Sequence, residues 1–397
     1  MQKHQYMKNL LTFILCILFI KTISAQNSSE ITQSNNKFTF DIYQELKNSQ
    51  TNLVFSPHSI SSALSMVYIG AKDNTAEEIR DVFYLNPNIQ EFSKSYQQLN
   101  LTEQSNKNEK YLYNANSLWI QQGLKLKTSF LDANKKYFSA SLNQTDFINK
   151  TEESRLKINK WVSKNTKNRI NDLLPASSID RSTRLVLVNA IYFKSSWKYQ
   201  FNEKNNYTDY FQAEKNNCIE VEYMKNKMVT SHYQDRYAQV IEIPYETKEV
   251  SLLIILPNSF RKLRRLEKKL DYEYYNHILQ NKERKSIHLS LPKFDIESTF
   301  ELKNVLQELG VKSAFSDAAD FSGMSNEKLY ISSIAHKANI TANEKGTEAA
   351  AATAVMMRKM SVNLESIDLE VDKPFIFILK NNQTNHIYFI GKITNPK

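Results

Sequence analysis

The side chains in this sequence that invite chemistry are not spaced to perform it. There is no Gly-x-Ser-x-Gly string, no pair of histidines at zinc spacing and no phosphate-binding loop, and six glycines in all leave little room for one. No enzyme activity, metal site or nucleic-acid partner is expected. Interest concentrates instead in residues 344–361, Glu-Lys-Gly-Thr-Glu-Ala-Ala-Ala-Ala-Thr-Ala-Val-Met-Met-Arg-Lys-Met-Ser. One glycine opens it, small residues follow, and large side chains of mixed character close it. The alanines favour a helix, yet the preceding Asn339-Ile340-Thr341 reads as strand and no capping residue is in place. Such a segment tolerates more than one conformation.

Elements must hold that segment up. Residues 36–47 read as a helix with Phe38, Ile42, Tyr43 and Leu46 on one face. A short strand then meets a helix capped by Ser56, with Pro57 in its first turn, and its Ser, Ala and Gly70 allow close approach. Asp73 to Glu78 resembles a capping box. Strand is expected over 114–120 and helix around 129–138 and 152–170, the last contacting the core through Leu156, Ile158, Trp161 and Val162. The run 183–193 reads as a buried strand. Further strands are expected at 218–224, 228–233, 238–244, 250–257, 287–294, 330–341, 374–379 and 387–393, with helices from 261 and over 302–309. Helices dominate the first third and strands the rest, without β-α-β alternation, so the class is α+β with large mixed sheets.

Lys3 and Lys8 precede an apolar run over 10–20 that ends near Ile23-Ser24-Ala25, the layout of a secretory leader and short for a membrane span. Cleavage after Ala25 would leave a single domain over 26–397, released outside the cell and not membrane-bound. Losing Lys3, Lys8 and Lys21 takes the formal charge from +10 to +7. Cys218 would then stand alone, so no internal disulfide is possible, and a lone cysteine is expected to act as a partly buried small hydrophobe. No Pro/Gly/Ser-rich linker divides the chain. Sequons at Asn27, Asn100, Asn143, Asn149, Asn206 and Asn382 are candidate glycosylation sites, whereas Asn339 lies within an apparent strand.

Taken in order, the strings at 52–66, 187–194 with Trp197, 319–324, 334–338, 344–353, 372–375 and 389–392 resemble those of the serpins, the serine protease inhibitor family. The resemblance covers nearly all of residues 26–397. It implies a fold of three β-sheets and about nine helices with an exposed reactive-centre loop, here about 345–365. It also implies a suicide-substrate mechanism. A serine protease attacks the loop, an acyl-enzyme forms, and the cut loop inserts into the main sheet before hydrolysis is complete, distorting the protease in a covalent complex. The inhibitor itself is expected to be a monomer.

On that reading the hinge is Glu344, Gly346, Thr347, Glu348, Ala349, Ala350, Ala351, Ala352 and Thr353. As a strand it would turn Thr347, Ala349, Ala351, Thr353, Val355 and Met357 inward and leave Glu348, Ala350, Ala352, Ala354 and Arg358 outside, so no charge is buried. The usual loop length places the scissile bond at Met360-Ser361, which suits elastase-like or chymotrypsin-like pockets. Lys359 and Arg358 are the alternatives for a trypsin-like enzyme. Ser56, Ser59, Asn189 and His336 match the family's polar cluster under the opening of the main sheet. Trp197 matches the point where the hinge enters, and a Glu344–Lys293 pair is expected beside it. A non-inhibitory carrier or scaffold is the rival function. Arg261, Lys262, Arg264, Arg265, Lys268 and Lys269 form a basic helix that either binds a glycosaminoglycan or is simply a solvated face.

Overall fold

The computed structural model describes residues 30–104, 111–347 and 365–397. Thus the expected leader, Asn27, the expected hinge residues Glu348, Ala349, Ala350, Ala351, Ala352 and Thr353, and the candidate bait residues Arg358, Lys359, Met360 and Ser361 lie outside the described residues.

Helix α1 (30–46) precedes β1 (Leu53–Phe55), α2 (Pro57–Tyr68), α3 (Asp73–Phe83) and α4 (Ile89–Gln104). Then come β2 (Leu112–Gln121), α5 (Thr128–Ala133), β3 (Ser141–Thr145), α6 (Thr151–Asn165), β4 (Leu185–Phe193) and β5 (Ser195–Ser196). The strands β6 (Tyr207–Glu214), β7 (Asn217–Gln234), β8 (Ala238–Pro244) and β9 (Val250–Pro257) follow, with helices α7 (Leu263–Lys269) and α8 (Tyr272–Asn281) after them. The chain continues through β10 (Glu283–Pro292), β11 (Phe294–Glu301), α9 (Lys303–Leu309), β12 (Ser333–Ala342), β13 (Gly346–Thr347), β14 (Ser366–Glu370), β15 (Phe375–Asn381) and β16 (Ile387–Ile393).

Among the described residues the strands form three sheets, and the class is α+β as expected. A five-stranded sheet runs β11-β12-β4-β2-β3, a nine-stranded one runs β1-β16-β15-β9-β8-β7-β10-β14 with β6 on β7, and β13 pairs with β5 alone. The seam that matters lies at the centre of the first. There β4 and β12 are parallel neighbours, in register from Val186↔Ser333 to Tyr192↔Asn339. Sequence explains why β4 belongs in the middle. Val186, Val188, Ala190 and Tyr192 face the layer under α6, while Leu185, Leu187, Ile191 and Phe193 face two other apolar clusters. Burial on both faces needs a continuous apolar run rather than alternation. The exception is Asn189, between those two clusters. Beneath the seam lies α2, every residue of which is buried. Gly70, just past its end, meets Met324 and Phe130 so closely that a Cβ would stand 2.2 Å from Met324 Cγ.

Several local expectations are corrected. The box at Asp73–Glu78 does not form: Lys72 is the cap residue and makes no side-chain bond. Glu78 instead accepts the backbone N–H groups of Lys312 and Ser313, at 2.7 Å each, so tertiary partners join the local one, Asn74. Leu156 faces solvent, 51% exposed, because the buried face of α6 is Ser154, Ile158, Asn159 and Val162. Cys218 is free and exposed rather than half-buried, as it lies opposite Gln212 just past the β6–β7 turn. The strands expected at 218–224 and 228–233 are one, β7. The strand β11 was hidden in a strict buried–exposed alternation that follows Lys293.

Candidate functional site

The hinge begins where β12 ends. Asn343 closes a tight turn, its Oδ1 accepting from the N–H of Lys345 (3.0 Å) and of Gly346 (3.2 Å). The chain thereby reverses, and Gly346-Thr347 pairs antiparallel with Ser196-Ser195 above the top of β4. Gly346 has φ +148°, and a Cβ there would stand 2.2 Å from Ser195 O, so only glycine fits. Thr347 is fully buried, and its Oγ1 lies 2.7 Å from the Tyr245 hydroxyl. Burial pushes the Tyr245 phenol far up, so it stays neutral. Trp197 holds the turn from below. Its Nε1 donates to Asn343 O at 2.8 Å and its backbone N–H to Lys345 O at 2.9 Å, while its ring stacks on Tyr245 at 4.4 Å. Among the described residues the hinge is therefore docked through Thr347 on β5, just beyond the end of β4.

Glu344 and Lys293 meet beside it, Nζ to Oε1 2.5 Å. Lys293 also holds Glu222 at 2.8 Å. Burial raises the Glu344 carboxyl, but hydrogen bonds from Lys293 and Asn206 overcome this and leave it below the usual carboxylate range. Burial would lower Lys293, yet its two carboxylate partners raise it overall.

The polar residues expected under the seam do come together. Ser56 caps α2, its Oγ accepting from Ser59 N–H (3.1 Å) and donating to Tyr388 O (2.6 Å). The N–H of Ser56 donates to His336 Nε2 at 3.1 Å, so the His336 proton sits on Nδ1 and faces Asn189 Oδ1 on the parallel neighbour strand. Asn189 Nδ2 reaches Ser59 Oγ (2.5 Å) and Asn116 Oδ1 (2.6 Å). Full burial lowers the His336 pKa to about 3, so the imidazole is neutral. Strand β12 is thus tied to β4, to β2 and to the cap of α2 through one buried network centred on the His336 and Asn189 side chains. Asn114 and Asn116, which both accept from Ser59 Oγ, were missed. Their signal was available: Asn-Ala-Asn places two amides on one face of a strand. Tyr245 and Glu222 were missed too and Asn206 was read only as a sequon, for no local pattern marks any of the three as a partner of the hinge.

The basic run divides between a short turn over Phe260–Lys262 and α7. Arg261, Arg264, Arg265 and Lys268 are exposed, and Lys262 and Lys269 are half-buried against Arg236 O and the Tyr274 ring. The sequon residues differ in setting. Asn149 is exposed; Asn100, Asn143 and Asn382 are half-buried with side-chain amides donating to Tyr137 O, Ser141 Oγ and Lys248 O; Asn206 lies in the Glu344 network. Among the described residues no group of three or more His, Cys, Asp or Glu is placed to hold a metal, and no helix is long and apolar enough to cross a membrane.

This combination, a parallel seam held by a buried polar cluster with a docked hinge above it, defines a class. The family model for serpins, serine protease inhibitors, matches residues 33–396. The chain is 37% identical to Serpin B4 of Homo sapiens over 93% of its length and all of that protein. It is 36% identical to a leukocyte elastase inhibitor of Xenopus laevis, over 90% and 97% of the two chains. The crystal structure of human thyroxine-binding globulin with thyroxine superposes with a TM-score of 0.85 at 28% identity, covering 94% of this chain and all of that one. The chain belongs to the serpin family.

Proposed function

We propose that this serpin is an inhibitor of serine endopeptidases that works by loop cleavage, acyl-enzyme trapping and insertion of the loop between β4 and β12. One observation carries the reading: Gly346-Thr347 already lies antiparallel to the line of β4, directly after the end of β12. A strand continued in that direction would run antiparallel to both neighbours and convert one parallel pairing into two antiparallel ones, the stronger arrangement per residue. Thr347, first of the inward-facing set, occupies its buried place without a charge. The small residues that follow in the sequence suit the same path.

Met360-Ser361 is proposed as the scissile bond, with Met360 entering an apolar primary pocket; Lys359 and Arg358 are the alternatives for an enzyme with an acidic pocket. The leader over 1–25 supports release from the cell. The exposed cations of α7 are proposed to take a glycosaminoglycan, which retention on heparin would test: elution no later than net charge alone dictates would remove the idea. The carrier reading draws on the likeness to thyroxine-binding globulin, but the inward-facing hinge positions Thr347, Ala349, Ala351 and Thr353 carry no bulky, charged or proline residue. Incubation with chymotrypsin, elastase and trypsin separates the readings. An SDS-stable complex and a released fragment starting at Ser361 are expected; plain cleavage by all three enzymes, each leaving active, would defeat inhibition.

A further inference from the structure

The Glu344–Lys293 pair is incomplete as a clamp. Glu222 and Glu344 both bring Oε1 to Lys293 Nζ, so one cation faces two carboxylates. The deficit is met by Asn206. Its Nδ2 donates to the same two atoms, Glu222 Oε1 at 2.8 Å and Glu344 Oε1 at 2.5 Å, one amide hydrogen to each. The four residues form a ring in which two acceptors alternate with two donors. With two carboxylates on one side, the amide can present only its nitrogen there. The cost is visible on the other side: Asn206 Oδ1 is buried and has no hydrogen-bond partner. A buried orphan acceptor persists only where the opposite end of the group is strongly held.

The backbone brings Asn206 to this place deliberately. Asn202 caps the short turn Glu203–Asn205, its side chain accepting from Lys204 N–H, and Asn206 closes that turn by donating to Glu203 O. The next residue starts β6, which pairs with β7 so that Thr208 lies opposite Glu222. Lys293 is fixed by its own N–H on Glu222 O, and Glu344 by its carbonyl, which accepts from Phe201 N–H at 2.9 Å. Both carboxylates are thus placed by the main chain, and the two donors set where the Glu344 side chain rests.

We propose that Asn206 is a positioning residue of the hinge, acting through Glu344 to keep the turn at 343–346 docked and the top of the β4–β12 seam closed. The inference rests on the insertion mechanism given above. It has a corollary. Asn206-Tyr207-Thr208 is a sequon, and a sugar on Nδ2 replaces one of the two hydrogens the clamp uses. A chain glycosylated at Asn206 keeps at most one of the two bonds.

The test uses the full chain made in bacterial cytoplasm, free of N-glycans, and a synthetic peptide of the sequence 347–360 that competes for the seam. Asn206→Ala should take up the peptide about tenfold faster than wild type, the scale expected for losing hydrogen bonds to charged acceptors. In a Glu344→Gln background the same substitution should change uptake less than about twofold, because coupled residues are not additive. Thr208→Ala, which removes the sequon and keeps the amide, should behave as wild type. Unchanged uptake in Asn206→Ala, equal acceleration in both backgrounds, or acceleration by Thr208→Ala would each overturn the proposal. Should the alanine variant not fold, Asn206→Gln replaces it and should accelerate uptake less than alanine would, since it keeps an amide donor; uptake equal to wild type in that variant counts against Asn206. Wild type is also mixed with chymotrypsin, elastase and trypsin. No covalent complex with any of them defeats the inhibitor reading, whereas complex formation with unaffected uptake defeats the role of Asn206 alone.

Discussion

At the scale of residues, the seam is governed by histidines that cannot afford a proton. His336 is fully buried, its Nε2 accepting from Ser56 N–H, and burial lowers its pKa to about 3. Nearby, His58 in the first turn of α2 lies with Nδ1 2.9 Å from His386 Nε2. Burial lowers His58 to about 4, and burial together with the neighbouring His58 takes His386 well below its ordinary value. The start of a helix also disfavours a cation at His58. The sign follows from linkage. These folded-state values lie below the unfolded value of about 6.5, so below that pH the unfolded chain binds more protons and the native state loses stability. Stability from these groups is therefore complete above pH ~6.5 and drains away as the pH falls toward 3–4. At pH 5 the loss is about 2 kcal/mol for each of His58 and His336 as an upper figure. Urea midpoints at pH 7.5 and 5.0 should show wild type weakening, and His336→Gln should weaken less between the two. An equal pH slope in both proteins would contradict this assignment.

At the scale of elements, local pattern carried only part of the reading. The Ser56 cap of α2 and the two-sided burial of β4 could be read from composition and period alone, whereas the hinge at Gly346 was read through the family resemblance, and its residues from 348 on lie outside the described residues. What stayed illegible was whatever depends on contacts far apart in the chain. Asn206 meets Glu344 across more than a hundred residues, Tyr245 meets Thr347 likewise, and Glu78 adds distant Lys312 and Ser313 to its local partner Asn74. Long amphipathic runs such as β11 were missed where a lone lysine interrupted the pattern. The element also yields a sharp expectation. Thr347 sits with no exposure between Tyr245 and Ser195, so Thr347→Arg would have to bury an unpaired cation, which costs several kcal/mol. The hinge should undock. The variant should still be cut at the same bond, giving the same fragment mass, but form at least about tenfold less SDS-stable complex, since each 1.4 kcal/mol is a factor of ten. Undiminished complex formation would show that insertion does not pass through the position of Thr347.

At the scale of the whole molecule, the proposed mechanism requires the five-stranded sheet to accept a sixth strand. Its central pair is parallel, tied by Asn189 and His336 at one level and by the docked hinge above. Elsewhere the fold is held conventionally, with apolar clusters on both faces of that sheet and no disulfide, since Cys218 is the lone cysteine among the described residues. A loop that enters the seam would exchange the β4–β12 ladder for two antiparallel ladders and relieve whatever the uncut form stores. Cleavage is ordinarily destabilising, because a nick frees chain entropy. Here the opposite is expected. Cutting the loop with a catalytic amount of chymotrypsin or elastase should raise the thermal midpoint by more than about 10 °C, a shift worth several kcal/mol in a chain of this size. Asn206→Ala should reach the same final midpoint, as the clamp is spent once the strand has entered. A midpoint that falls or stays level on cleavage would mean that the seam does not open, and the fold would then serve some other end than trapping a protease.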